Sequence, residues 1–382
     1  MKKTVFFIFI IILVMSMFFS AGILSDAEKL SVNARAAYVI EADSGTVIYE
    51  QNSKDKHPVA SIVKIMTSLI AFEQIEKGNM SLNEVINISE NASGMGGSQM
   101  FLDTGDNYTV SDLIKGIVVV SANDASVAIA ERIAGSEEEF VNMMNKRAKE
   151  LNMNNTHFSN CTGLPAPSNY SSAEDVAKMT LELIKHKDYY RYSTIWIENF
   201  NHPDGRITEF VNTNKLIRFY KGCDGGKTGY TSEALFCLSA SAERNGMRVI
   251  SVILGSPSSK IRFAECSKLL NTAFALYENK LVVDKDNFGK DCVNVPNGKS
   301  DNLKIALERS VYVLVKKGEK ITYDTRIEIK DKVTAPISRG DRVGTLYVID
   351  KGVVINEIPI IATENIDEAG FYDYLRKVLT KW

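Results

Sequence analysis

Three short polar stretches break otherwise apolar parts of this 382-residue chain, and each carries side chains able to do chemistry. In "VASIVKIMT" Ser61 and Lys64 stand three residues apart, a spacing that puts both on one face of a helix. In "VVVSANDASVAIA" Ser121, Asn123 and Asp124 interrupt two apolar runs. In "CDGGKTGYTSEA" Lys227, Thr228 and Gly229 follow a glycine pair. A serine hydroxyl attacks a carbonyl once a neighbouring base has taken its proton, and a neutral lysine can be that base. Burial or a second cation lowers a lysine pKa enough to leave it neutral. Each stretch also has a plainer reading. Lys64 can snorkel to water, the polar residues at 121–124 can be satisfied core groups, and Lys227 can be a solvated residue on a strand edge. Gly229, lacking a side chain, leaves room for a ligand to approach the backbone.

Other chemistries fit less well. Gly226-Lys227-Thr228 invites a phosphate loop, but that loop needs a glycine five places before Gly226, where Lys221 stands. The next stretch of chain, "ALFCLSASAERNGMRVISVILG", reads as two strands around Arg244-Asn245-Gly246 and not as the helix a phosphate loop opens. The four histidines, His57, His157, His186 and His202, lie too far apart for a pair at metal-ligand spacing. The G-x-S-x-G turn of an ordinary Ser-His-Asp hydrolase is missing from the sequence. A formal net charge of -2 gives no electrostatic reason to expect nucleic acid.

The elements that must hold these residues are legible in outline. "AAYVIEADSGTVIYEQN" alternates around Asp43-Ser44-Gly45 and predicts a β-hairpin. The stretch after it carries Ile62, Ile65, Met66, Leu69, Ile70 and Phe72 at helical period, closed by Gly78. Residues 110–190 are mainly helical in pattern, the strands near 235–254 come next, and one more helix starts near 260. Strands at both ends of a helical middle predict an α/β unit whose sheet is closed by segments distant in sequence. From about residue 283 apolar and polar residues alternate between turns at Lys317-Gly318, Arg339-Gly340 and Lys351-Gly352, the pattern of a small all-β domain.

The N-terminus points outside the cytoplasm, and the C-terminus to a surface helix. Residues 1–25 combine two lysines, an apolar run and small residues at Ser20-Ala21-Gly22, the pattern of a secretory signal peptide or, uncleaved, of a signal anchor. Five scattered cysteines without a C-x-x-C pair read as buried free thiols. The last segment, 366–382, sets Phe371, Leu375, Val378 and Trp382 on one stripe of a basic amphipathic helix. Such a helix lies on a membrane surface or packs on its own domain.

Taken together, S-x-x-K at Ser61, a serine and an asparagine two apart at Ser121, and K-T-G at Lys227 occur in the order known from class A β-lactamases and penicillin-binding proteins. Here alanine fills the middle of the second motif, and 60 and 106 residues separate the three starting positions. The chain closely resembles the low-molecular-weight penicillin-binding proteins that are serine-type D-alanyl-D-alanine carboxypeptidases. The likeness includes "GGSQMFLDTGD" (96–106) and "THFSNCTGLP" (156–165), and runs from about residue 30 to the C-terminus. It implies a transpeptidase/β-lactamase-like α/β catalytic domain over 30–282, a sheet flanked by helices with a helical cluster. A β-rich domain over 283–364 and a membrane-anchoring helix over 366–382 would complete the chain.

The resemblance also implies roles. Ser61 would be the nucleophile and Lys64 its base, Ser121 would relay a proton to the departing amine, and Asn123 would hold the substrate amide. Lys227 and Thr228, with Arg262, would meet the terminal carboxylate of the substrate, and the backbone N–H groups of Ser61 and Tyr230 would hold the oxyanion. The substrate would be a peptidoglycan stem peptide ending in D-Ala-D-Ala, penicillins would acylate the same serine, and no cofactor would be needed. A β-lactamase is the nearest alternative. Its deacylating glutamate sits in an E-x-x-L-N pattern, whereas here Glu150 stands directly beside Leu151-Asn152. A wall-binding protein that kept the fold without the activity is the other.

Overall fold

The computed structural model of the protein describes residues 30–319 and 322–380; the segment 1–25, expected to be a leader, and Trp382 lie outside the described residues. Strands β1 (Ala36–Glu41) and β2 (Val47–Gln51) form the expected hairpin. A 3-10 turn, Ala60–Val63, leads into helix α1 (Lys64–Glu76). The short strands β3 (Val85–Asn87) and β4 (Asn107–Thr109) pair with each other before α2 (Val110–Lys115). A π-helical turn, Gly116–Val120, separates α2 from α3 (Asn123–Ala134), and α4 (Glu137–Glu150) and α5 (Ala173–Leu183) complete the helical part. Then come the ribbon of β5 (Ile197–Asn201) and β6 (Ile207–Val211), the strands β7 (Cys223–Thr231), β8 (Leu235–Arg244) and β9 (Met247–Ser256), and α6 (Ser259–Leu276).

The main sheet runs β2-β1-β9-β8-β7, all antiparallel, so the N-terminal hairpin is joined to strands some two hundred residues later. Both faces are covered, and the strand period sorts side chains between them. Ala36 and Tyr38 of β1 enter one apolar cluster with α1, α3 and α5, while Ala37 and Val39 enter another with Leu269 and Leu270 of α6. Helix α1 lies between the sheet and the helical cluster, and every residue from Lys64 to Phe72 is buried. Apolar residues all round are what such a position requires. One lysine sits among them.

From Tyr277, directly after α6, strands dominate. Strand β10 (Tyr277–Val283) pairs with β13 (Val311–Lys316). Strands β11 (Cys292–Asn294), β12 (Asn302–Leu307), β14 (Asp324–Ile329), β15 (Arg342–Asp350) and β16 (Val353–Ala362) form a second five-stranded sheet, ordered β11-β12-β16-β15-β14. Leu303, Leu346, Ile358 and Ile360 fill its own core. The last helix, α7 (Phe371–Thr380), leaves Phe371 77% and Tyr372 82% exposed, while Lys377 Nζ donates to the Gly298 carbonyl at 2.5 Å. No helix among the described residues is long and apolar enough to cross a membrane. All five cysteines are free. Cys161, Cys237 and Cys266 are buried as expected, whereas Cys292, on a short edge strand, is exposed.

Candidate active site

Ser61 is set on a turn that backbone packing fixes tightly. Ala60, just before Ser61, has φ 51, a left-handed value that costs a residue with a Cβ about 1–3 kcal/mol. Two glycines from distant segments press on this turn. A Cβ on Gly163 would fall 2.1 Å from the Ala60 carbonyl oxygen and 2.8 Å from Ser61 N. A Cβ on Gly229 would fall 2.6 Å from the Val59 carbonyl oxygen. The missing side chain at Gly229 therefore makes room for the nucleophile turn itself, rather than for a ligand as its sequence context suggested.

Lys64, one turn on, is buried completely and its Nζ has three oxygen neighbours: Asn123 Oδ1 at 2.6 Å, the Thr162 carbonyl at 2.5 Å and Ser61 Oγ at 3.3 Å. Burial pulls its pKa from the usual 10.5 down to about 7, although Cys161 and Asp124 nearby oppose the fall. A neutral amine has two N–H groups and one lone pair. The geometry suits it: the N–H groups go to Asn123 Oδ1 and the Thr162 carbonyl, and the lone pair is left for the Ser61 hydroxyl proton.

The second polar stretch joins the same site. The π-helical turn before Ser121 ends with that residue at φ 67, and such turns occur often at functional sites. Ser121 Oγ is buried and makes no hydrogen bond among the described residues. Asn123 is used at both ends of its amide, with Nδ2 donating to the Gly96 carbonyl at 2.7 Å while Oδ1 faces Lys64. Asn123 thus bridges Lys64 to the loop around Gly96, which a merely satisfied core group has no need to do.

Lys227 is buried on edge strand β7 and donates to the Thr228 carbonyl at 3.0 Å. Burial pushes its pKa well down, and the charges of Lys64 and Arg262 push the same way. Two lysines in one dry site resist carrying protons together. Thr228 is buried beside it, and the exposed Tyr230 ring leans on Phe236 with centroids 4.4 Å apart. Arg262, buried on α6, spends its Nη1 on the carbonyls of Gly229 at 3.2 Å and Cys237 at 3.0 Å, and Nε has no partner. Burial lowers its pKa to about 10, so it stays charged. Its bonds hold the edge strand from behind.

Sequence reasoning missed Asn160 and the Thr162 carbonyl. Asn160 Oδ1 accepts from Gly163 N at 2.7 Å, and its Nδ2 donates to the Leu164 carbonyl at 3.0 Å. The Asn160 side chain thereby fixes the turn that aims the Thr162 carbonyl at Lys64. A backbone acceptor leaves no mark on residue type, so only Asn160 followed three places later by Gly163 hinted at it.

Comparison with known proteins agrees with this geometry. Residues 24–258 match the family model described as D-alanyl-D-alanine carboxypeptidase, and residues 277–368 match that of the penicillin-binding protein 5 C-terminal domain. The chain is 41% identical over 356 residues to D-alanyl-D-alanine carboxypeptidase DacF of Bacillus subtilis (strain 168), covering 93% of this chain and 91% of that protein. It is 33% identical to D-alanyl-D-alanine carboxypeptidase DacC of Escherichia coli (strain K12), covering 93% and 90%. Crystal structures of penicillin binding protein 5 from Haemophilus influenzae superpose with a TM-score of 0.68 at 30% identity, covering 89% of this chain and 99% of that one. With Ser61 and Asn123 bonded to Lys64 and Lys227 within its electrostatic reach, the chain belongs to the D-alanyl-D-alanine carboxypeptidase family of serine peptidases.

Proposed function

We propose that Ser61 carries out the carboxypeptidase reaction on peptidoglycan stem peptides through an acyl-enzyme, with neutral Lys64 as its base. The observation that carries this is the buried Lys64 Nζ, set between two hydrogen-bond acceptors and the Ser61 hydroxyl. Ser61 Oγ attacks the carbonyl between the two terminal D-alanines as its proton passes to Lys64. The backbone N–H groups of Ser61 and Tyr230 hold the oxyanion of the tetrahedral intermediate. Collapse breaks the C–N bond, and the Ser121 hydroxyl, buried and free of any protein partner, passes a proton to the departing amine. The terminal D-alanine leaves, and water then frees Ser61. Asn123 orders the substrate amide. Lys227 and Thr228 take the terminal carboxylate, and Arg262 adds positive charge from behind β7.

A carboxylate arriving at Lys227 favours the cation there. Penicillin, a strained amide beside a carboxylate, fits the same arrangement. We further infer that the enzyme works outside the cytoplasm, the segment 1–25 serving as its leader, with α7 resting on the membrane surface. Exposed Phe371, Tyr372, Val378 and Leu379 on one short helix support the second inference. Sedimentation with vesicles, comparing the full chain with one ending at Gly370, tests it.

The catalytic roles are tested by D-alanine release from a peptide ending in Lys-D-Ala-D-Ala, using wild type, Ser61→Ala and Lys64→Ala. Release by wild type alone supports both roles. Release by Lys64→Ala at the wild-type rate would remove Lys64 as the base. Rapid turnover of penicillin in place of release would make the chain a β-lactamase.

A further inference from the structure

Asp124 sits one residue beyond Asn123 and has no part in the reaction as drawn. It is fully buried, yet forms no ion pair among the described residues. Backbone N–H groups surround its carboxylate instead. Met100 N lies 3.1 Å from each oxygen, Leu102 N donates to Oδ2 at 3.1 Å, and Ala125 N donates to Oδ1 at 2.9 Å. Such bonds to an ionised acceptor are roughly twice as strong as neutral ones. They clamp residues 100 and 102 on either side of Phe101, which has φ 65 and is 53% exposed. A bulky residue stays in that strained conformation only where its surroundings over-determine it. From the ribbon tip, Arg206 Nη2 donates to the Phe101 carbonyl at 3.2 Å and also pairs with Asp103.

The clamped segment then acts on Asn123. The Ser98 carbonyl accepts from Asn123 N at 2.7 Å, and the Gly96 carbonyl accepts from Asn123 Nδ2, also at 2.7 Å. With the amide nitrogen engaged there, the oxygen must face Lys64. A flipped amide would point an NH2 group at the amine, donor against donor, and Lys64 would lose one of the acceptors that free its lone pair for Ser61.

We propose that Asp124 is a positioning residue: by holding the segment 96–102 it fixes the Asn123 amide with its oxygen toward Lys64. The proposal rests on the roles of Lys64 and Ser61 given above. Its electrostatic consequence has a definite sign. The groups facing Lys64 are Asp124 and Cys161, which favour its cation, and Lys227, which opposes it. Removing the Asp124 charge and releasing the Asn123 oxygen both disfavour the cation, so the pKa of Lys64 falls further.

The experiment compares wild type, Asp124→Asn, Gly97→Ala and Lys64→Ala in acylation by penicillin, with the rate expressed per titrated active site and measured against pH. Gly97→Ala disturbs the same amide without touching Asp124, since its Cβ would fall 2.8 Å from Asn123 Nδ2 at φ +83. We expect Asp124→Asn to acylate at least tenfold more slowly per site, with its acid limb at lower pH, and Gly97→Ala to be slowed likewise. A wild-type rate per site and an unshifted limb in Asp124→Asn overturns the proposal, even if fewer sites titrate, because that is the signature of a purely structural residue. Should Asp124→Asn fail to fold, a wild-type rate in Gly97→Ala overturns it alone. If Lys64→Ala acylates normally, the role of Lys64 falls and the proposal with it. If Lys64→Ala is inert while the other two variants behave as wild type, the proposal alone falls.

Discussion

Lowering the pH below neutrality should switch acylation off, with a steepness set by one proton. Burial holds the Lys64 pKa at about 7, against 10.5 for an ordinary lysine. The base works only when neutral, so the rate is high above the pKa and falls as pH drops through it. Two pH units below the pKa about one lysine in a hundred remains neutral, and the second-order rate of acylation by penicillin should be down about 100-fold. The slope should be close to tenfold per unit. Stopped-flow acylation and steady-state D-alanine release over about pH 5 to 9 supply both profiles. A rate unchanged across that range would refute the assignment of Lys64 as a neutral base.

Three substitutions extend the test. Ser121→Ala removes a buried hydroxyl that bonds to nothing among the described residues, so the variant should be no less stable than wild type while peptide turnover falls about 10²–10⁴-fold; thermal melts and D-alanine release together check it. Lys227→Ala removes the group placed to take the terminal carboxylate, so KM for carboxylate-terminated peptides should rise, read from steady-state D-alanine release. Gly163→Ala forces a Cβ to within 2.1 Å of the Ala60 carbonyl oxygen at φ +80, which should cost about 2–5 kcal/mol and displace Ser61, read as lower stability together with lost penicillin labelling.

Patterns of residue type carried the architecture well, and patterns of backbone carried the site poorly. The alternation in β1 and β2 and the turn at Asn245-Gly246 were legible because period and turn chemistry are local. Joining β1 to β9 needed only the inference that strands at both ends share one sheet. Ser61, Lys64 and Lys227 could be found because only a few residue types do their chemistry. The Thr162 carbonyl, the left-handed φ at Ala60 and Ser121, and the carbonyl contacts of Arg262 are properties of main chain brought together across distant segments. Gly229 shows the limit. Its need for a bare Cα was readable, but what presses against it was not, because the nucleophile turn lies far away in sequence.

A buried lysine also leaves a mark on stability, independent of any substrate. Because the folded pKa of Lys64 is depressed, its neutral form is tolerated at no cost above the unfolded value of 10.5, and stability is lost as pH falls toward about 7. Integrated over that interval at about 1.4 kcal/mol per unit, the penalty is about 2 kcal/mol at pH 9 and about 4 kcal/mol at pH 7, levelling near 5 below that. Lys64→Met keeps the apolar stem and removes the titration. It also leaves Asn123 Oδ1 and the Thr162 carbonyl without their donor, a loss that does not depend on pH. The pH-dependent part of the difference between the two proteins therefore belongs to Lys64 and to its coupling with Lys227 and Cys161. Urea unfolding of wild type and Lys64→Met at intervals from about pH 7 to 10 should show the variant gaining on wild type steadily as pH falls. A constant difference would mean that Lys64 holds its proton at no cost in the fold, and a lysine so held could not take one from Ser61.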